Sequence, residues 1–101
     1  MNLIELLNRV NRNALIIELI HKGFQAENEY PIKVYYKGRK VGDYFADILV
    51  DKKIILELKA EEKLNPSHQA QLINYLKATN IKVGLLINFG KEKCDFKRLI
   101  F

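Results

Sequence analysis

Cysteine is nearly absent from this 101-residue chain, with Cys94 standing alone. One thiol can make no internal disulfide and no cysteine-based zinc site, which excludes a disulfide scaffold and a cysteine zinc finger. A reduced, cytoplasmic setting is the matching expectation. Long apolar runs are missing too. No stretch approaches the roughly 18 residues a spanning helix needs. The opening "MNLIELLNRVNRNALIIELI" is broken too often by Asn, Arg and Glu to read as a signal peptide. No repeat, low-complexity tract or Pro/Gly/Ser linker divides the chain, so one domain is expected over residues 1–101. Acidic residues are the minority, 12 against 17 Lys and Arg, for a net charge of +5. That excess suits a polyanion such as nucleic acid. The cations gather in two stretches, Lys33, Lys37, Arg39 and Lys40, then Lys91, Lys93, Lys97 and Arg98, each equally readable as a solvated face. Apolar residues, at 49%, suffice for one core at this length.

The patterning predicts a first helix in which Leu3, Leu7, Val10, Ala14 and Ile17 share one face. Asn2 with Glu5 resembles a capping box, and Gly23 suits the stop. Three strand-like segments follow, approximately 27–36, 41–50 and 53–60. Lys37-Gly38-Arg39-Lys40 supplies the first turn and Asp51-Lys52-Lys53 the second. A second helix is capped by Asn65, has Pro66 in its first turn and is closed by Asn80. "VGLLINF", residues 83–89, is a nearly unbroken apolar run, as expected of a strand covered on both faces. Residues 53–89 thus read as a strand–helix–strand unit with a right-handed crossover. "FKRLIF" can add an edge strand. The order αβββαβ, with an optional last β, describes an α/β protein built on a mixed sheet flanked by helices.

The chemistry concentrates at Asp47 and at Glu57-Leu58-Lys59. Period-two alternation puts Glu57 and Lys59 on one face with Ile55, and Leu56 and Leu58 on the other. Alone, "ELK" describes equally well an amphipathic strand with a Glu–Lys pair facing water. The hairpin changes this reading. With a three-residue loop at 51–53, Val50 pairs with Ile54 and Asp47 falls opposite Glu57, whereas a two-residue turn puts Asp47 opposite Leu56. Facing carboxylates destabilise a sheet unless something offsets them. A divalent cation does so, and Mg²⁺ is commonly held by one or two carboxylates plus waters and phosphate oxygens. On the second helix His68, Gln71 and Tyr75 fall within about 60° of one another. A crossover helix can present them near the carboxylates, although they also fit a hydrogen-bonded boundary and a first-turn surface histidine.

Asp47 followed by Glu57-Leu58-Lys59 on adjacent strands, inside this element order, resembles the PD-(D/E)xK nuclease superfamily. "QLINY", residues 71–75, matches the QxxxY element of its exonuclease-like branches. The stretches GDYFAD, ELKA, HxxQxxxY and GLLINFG, in that order, make the chain similar to the GxxExxR family of that superfamily over about residues 13–101. The resemblance implies a restriction-endonuclease-like fold and Mg²⁺- or Mn²⁺-dependent phosphodiester cleavage of DNA. Carried over by position, Asp47 and Glu57 would bind the metal. Lys59 would orient or deprotonate the attacking water, or stabilise the phosphorane charge. Gln71 and Tyr75, with His68 on the same helix face, would support the site; from charge rather than from the resemblance, Lys37, Arg39 and Lys40 are the candidate nucleic-acid contacts. The chain departs from the family in its first helix. Asn8 stands at the family's Glu position and Asn11 at its Tyr position, and the family's preceding helix has no counterpart. Glu5 and Glu18 are the candidate substitutes. Two alternatives follow: a nuclease-fold binding module without turnover, and a homodimer in which a partner helix fills the vacant place.

Overall fold

A computed structural model describes residues 3–90 and 94–101, without the side chains of Ile4 and Glu5. The expected capping box at Asn2–Glu5, the substitute Glu5, and the cations Lys91 and Lys93 lie outside what is described. Helix α1 spans Leu3–His21. Gly23 ends it at φ +91°, and the Gly23 N–H donates to Ile20 O (3.0 Å) while the Phe24 N–H donates to Leu19 O (3.0 Å). This paired closure needs a left-handed residue, which glycine adopts without a Cβ clash.

Strands β1 (Ala26–Tyr36) and β2 (Arg39–Val50) form a long hairpin. Its turn is shorter than expected. Lys37 and Gly38 both have positive φ, and Tyr36 pairs with Arg39, so only two residues turn the chain. The β2–β3 connection matches expectation: Val50 pairs with Ile54 across Asp51, Lys52 and Lys53, and β3 covers Ile54–Lys59. Helix α2 (Pro66–Thr79) carries Asn65 at its N-cap, Pro66 in the first turn and Asn80 in the left-handed conformation at its end. Strand β4 (Val83–Phe89) runs parallel to β3, and β5 (Cys94–Ile100) completes the edge antiparallel to β4. The sheet is mixed and five-stranded, in the order β1-β2-β3-β4-β5.

Each sheet face has its own core. Helix α2 packs Leu72, Tyr75 and Leu76 on Ile32, Ala46, Leu49, Ile55 and Leu86. Gly84 permits this approach, since a Cβ there would lie 2.9 Å from Leu72 Cδ1. Helix α1 sets Leu15, Ile16 and Leu19 on Ile48, Val50, Leu56 and Leu58. The apolar face anticipated for α1 is therefore not the one that meets the sheet. Leu3, Leu6, Leu7, Val10, Ile17 and Ile20 are all exposed, at 46–69%. At 100° per residue they centre about 180° from Leu19. The buried side of α1 also carries Asn8 and Arg12, whose polarity hides that side from a periodicity reading.

Strand alternation slips at one level of the sheet. Ala26 packs with the α1 core, yet Tyr30, Ile32 and Val34, an even number of residues on, pack with the α2 core. Glu29 absorbs the change with φ +53°, and neither Glu29 nor Asp47 joins the ladder between β1 and β2. The β2–β3 ladder likewise stops at Ile48–Leu56, one residue short of Asp47.

Candidate active site

The interrupted ladder places Asp47 beside Glu57 with both carboxylates bonded crosswise between strands. The Leu58 N–H donates to Asp47 Oδ2 at 2.7 Å, and the Asp47 N–H donates to Glu57 Oε1 at 3.0 Å. Side chains here replace the backbone pairing, and one oxygen of each carboxylate takes no part in these two bonds. Glu57 is 4% exposed. Burial, reinforced by the charge of Asp47, pushes its carboxyl up to about 8, while the Asp47 N–H and Lys59 act the other way. Burial also raises Asp47 above the usual carboxylate range, opposed by the Leu58 N–H, then Lys59, then Arg12. Metal-free at neutral pH, this pair keeps a proton. Among the described residues no Lys or Arg closes an ion pair with either carboxylate.

Lys59, on the same strand face as Glu57, donates from Nζ to Gln71 Oε1 at 3.1 Å. Gln71 Nε2 donates in turn to the Tyr75 hydroxyl at 3.1 Å. With both ends of its amide engaged, Gln71 fixes the positions of the ammonium and the phenol. Burial and the nearby Glu57 charge raise Tyr75 above its ordinary value, so its proton stays available for donation. Asp47, Glu57, Lys59, Gln71 and Tyr75 are thus gathered at one end of the sheet under α2. His68 has a different task on the same helix: its Nδ1 accepts the Asn65 N–H at 3.1 Å and closes the capping box. Lys37, Arg39 and Lys40 are exposed at the hairpin tip, where Lys37 Nζ lies 5.5 Å from the Tyr36 ring and Lys40 pairs with Asp43 at 3.2 Å. Glu18 is exposed on α1.

Several neighbours were not foreseen. Arg12, joined to Glu29 at 3.2 Å, brings positive charge to Asp47 from α1, and its Nε is buried without a partner. One turn earlier, Asn8 Oδ1 is likewise buried with no partner among the described residues. Asn88, 4% exposed and paired with Lys59 across β3–β4, grips the loop after Lys59. Its Oδ1 accepts the Glu61 N–H (2.9 Å) and its Nδ2 donates to Glu61 O (3.0 Å). The signal for Asn88 was an amide inside the apolar run "VGLLINF". The Tyr44 and Tyr75 ring centroids lie 6.0 Å apart, a contact between β2 and α2 not anticipated from the sequence.

The donor set suits a hard divalent cation with few protein ligands. Two buried carboxyl groups present oxygens to a cation that would displace their proton, and waters or phosphate oxygens complete such a shell. Among the described residues no group of three or more His, Cys, Asp or Glu forms a fuller cage. No helix among them is long and apolar enough to cross a membrane.

Comparison with solved structures finds the same fold. The crystal structure of SSO0001 superposes with a TM-score of 0.70 at 20% identity, over 93% of this chain and 50% of that one. An alkaline exonuclease (LHK-Exo) from Laribacter hongkongensis gives 0.70 at 14% identity, over 99% of this chain and 59% of the other. The same enzyme in complex with dAMP gives 0.71. The chain thus spans about half to three-fifths of the length of these proteins. No curated protein matches it. A sequence profile does, and it runs over residues 4–99, leaving almost none of the chain unaccounted for: the protein belongs to the PD-(D/E)XK nuclease superfamily.

Proposed function

We propose that the protein is a divalent-metal-dependent nuclease that hydrolyses phosphodiester bonds in DNA, with Asp47 and Glu57 holding Mg²⁺ or Mn²⁺. The observation that carries this reading is the pair of buried carboxyl groups, crosswise bonded and without an ion-pair partner among the described residues, with the Lys59 ammonium alongside. A cation bound there would supply Lewis-acid polarisation of the phosphate and a lowered pKa for water. The protein's own groups do the rest. Backbone amides of Leu58 and Asp47 aim the carboxylate oxygens, and Gln71 holds Lys59 so that its charge meets the negative charge developing on the scissile phosphate. Tyr75, kept protonated, donates toward the same region. Lys37, Arg39 and Lys40 extend positive potential along the hairpin for the backbone of the nucleic acid. The exonuclease solved with dAMP supports a deoxynucleotide product. The test is cleavage of labelled DNA in Mg²⁺ or Mn²⁺ by wild type, Glu57→Gln and Lys59→Met, with folding checked by thermal melting. Metal-dependent cleavage that vanishes in both folded variants supports the reading, and cleavage that survives both removes it.

A second reading, a nuclease-fold DNA-binding module without turnover, is favoured by Asn8, a neutral amide at the position where the resemblance expects Glu. DNA binding in EDTA with no nicking in Mg²⁺ or Mn²⁺ selects it.

In either case we propose that a second copy of the chain covers the outer face of α1. Positions 3, 7, 10, 14 and 17 alternate steps of four and three, the spacing of a two-helix seam. Antiparallel pairing is self-complementary, with Leu7 against Ile17 of the partner subunit and Ala14 against Val10 of the partner subunit. The six exposed apolar side chains offer about 600 Å² per protomer, about 1,200 Å² in all, the lower edge of a specific interface. Light scattering that gives twice the chain mass, and a monomer for Val10→Glu, supports this pairing. A monomeric wild type at about 100 μM overturns it.

A further inference from the structure

We propose that the cleft between α2 and the β1–β2 hairpin is a seat for one unpaired nucleobase, which makes single-stranded or frayed DNA the preferred substrate. This rests on the nuclease reading and adds to it a binding site outside the carboxylate cluster. The cleft, about 640 Å³, lies between Val34 and Tyr44 on the hairpin and Ala70, Gln71, Asn74 and Tyr75 on the helix. That volume is within the range of small-molecule sites, and a base with its sugar fits it.

Three observations favour a base over other occupants. First, the lining surface is mainly apolar, with Ser67, Asn74 and Lys77 as polar points beside the engaged Gln71, a composition that takes the face of a heterocycle and hydrogen-bonds its edge. Second, Tyr44 is presented rather than packed away. The residue is 48% exposed, and its ring is tilted 41° from that of Tyr75 rather than stacked flat on it. Gly42 lets the ring lie where it does, since a Cβ there would come within 2.6 Å of Tyr44 Cε2. Third, the cleft is continuous with the candidate active site. Gln71 and Tyr75 line it and also form the chain of bonds leading to Lys59. A strand whose phosphate lies at Asp47 and Glu57 therefore has a neighbouring base at the cleft mouth. The exposed cations Lys37 and Arg39 on the hairpin and Lys77 at the rim meet its phosphates. A base inside a duplex has both faces covered and cannot enter, so the seat discriminates by strandedness.

The experiment uses the full chain in EDTA, where no cleavage occurs, and a DNA oligonucleotide containing 2-aminopurine near one end. Wild type should quench the 2-aminopurine emission and bind the single strand more tightly than a blunt duplex. Tyr44→Ala, shown to be folded by its melting curve, should lose the quench and weaken single-strand binding by about 5- to 150-fold, the range for one base–aromatic stack. Duplex binding should stay unchanged, and Tyr44→Phe should behave as wild type. The proposal is overturned if Tyr44→Ala quenches and binds like wild type, or if Tyr44→Phe fails as badly as Tyr44→Ala. A parallel assay in Mg²⁺ separates the two ideas. Quenching that depends on Tyr44 without any cleavage retains the base seat and removes the nuclease reading. Cleavage that is indifferent to Tyr44 does the reverse.

Discussion

Replacing Glu57 by Gln should make the metal-free protein more stable at pH 8 while abolishing its response to Mg²⁺. Glu57 is an acid whose folded-state value, about 8, lies above its ordinary 4.5. Below pH 4.5 the folded and unfolded chains both keep the proton, and the group contributes no pH dependence. Between 4.5 and 8 the unfolded chain releases the proton while the folded one holds it, so stability falls as pH rises. Each pKa unit corresponds to 1.36 kcal/mol, which puts the total loss at about 5 kcal/mol as a ceiling. Asp47, also raised, adds in the same direction. Against the ~5–15 kcal/mol of a typical domain the effect is large. Glutamine keeps an oxygen for the Asp47 N–H but does not titrate, so the variant's stability curve should flatten over this window. Divalent cation works against the loss. Ligand at 100 times its dissociation constant adds about 2.7 kcal/mol, more at pH 8 than at pH 5.5 because protons compete for the same oxygens. The assay is urea unfolding followed by circular dichroism at pH 5.5, 6.5 and 8, in EDTA and in excess Mg²⁺. A wild type whose metal-free stability is level or rises from pH 5.5 to 8, or a Glu57→Gln protein no more stable than wild type at pH 8, refutes the reasoning.

Gly84→Ala should cost about 1–3 kcal/mol in urea unfolding, because the new methyl meets Leu72 at 2.9 Å and Leu72, fully buried, has nowhere to move. Asn88→Ala removes both bonds to the Glu61 backbone. The expected result is a loss of about 2 kcal/mol together with faster amide exchange at Glu61. Changing Lys37 and Arg39 together to Ala should weaken DNA binding at all sequences and reduce the slope of log affinity against log salt by up to about 2. An unchanged slope in a binding titration would show that the hairpin tip does not meet phosphates.

The parts of the fold that were legible are those fixed by local chemistry. Asn65, Pro66 and Asn80 mark α2 because each suits the backbone geometry at its position. Asp51-Lys52-Lys53 sets the three-residue loop, and the loop sets the register that brings Asp47 to Glu57. Less visible was whatever depends on a tertiary choice between two readings. Helix α1 has one clean apolar stripe and a second, mixed face, and the sheet takes the mixed one, on which Leu15, Ile16 and Leu19 pack and Arg12 pairs with Glu29. The slip at Glu29 leaves no trace in a sequence, since a glutamate at positive φ is held by its surroundings and not by its own preference. Helical spacing put Gln71 and Tyr75 on one face of α2, where Gln71 bonds both Lys59 and Tyr75. His68 shared that spacing and is engaged at the cap. Asn88 and Tyr44 were passed over because their partners, the Glu61 backbone and the Tyr75 ring, lie in other elements.

Asp47 and Glu57 are also rivets: where the strands fail to pair, their side chains do the joining. An amide at either position keeps the acceptor oxygen, but truncating either side chain would loosen the seam between the central strands. Lys59, by contrast, bonds to Gln71 on α2 and fastens no strand to another, so on the proposed reading catalysis would be more easily given up there. Degenerate members of this architecture should therefore retain an acceptor oxygen at both positions after the ammonium is gone, and its survival alone is a poor guide to whether a given chain still cuts.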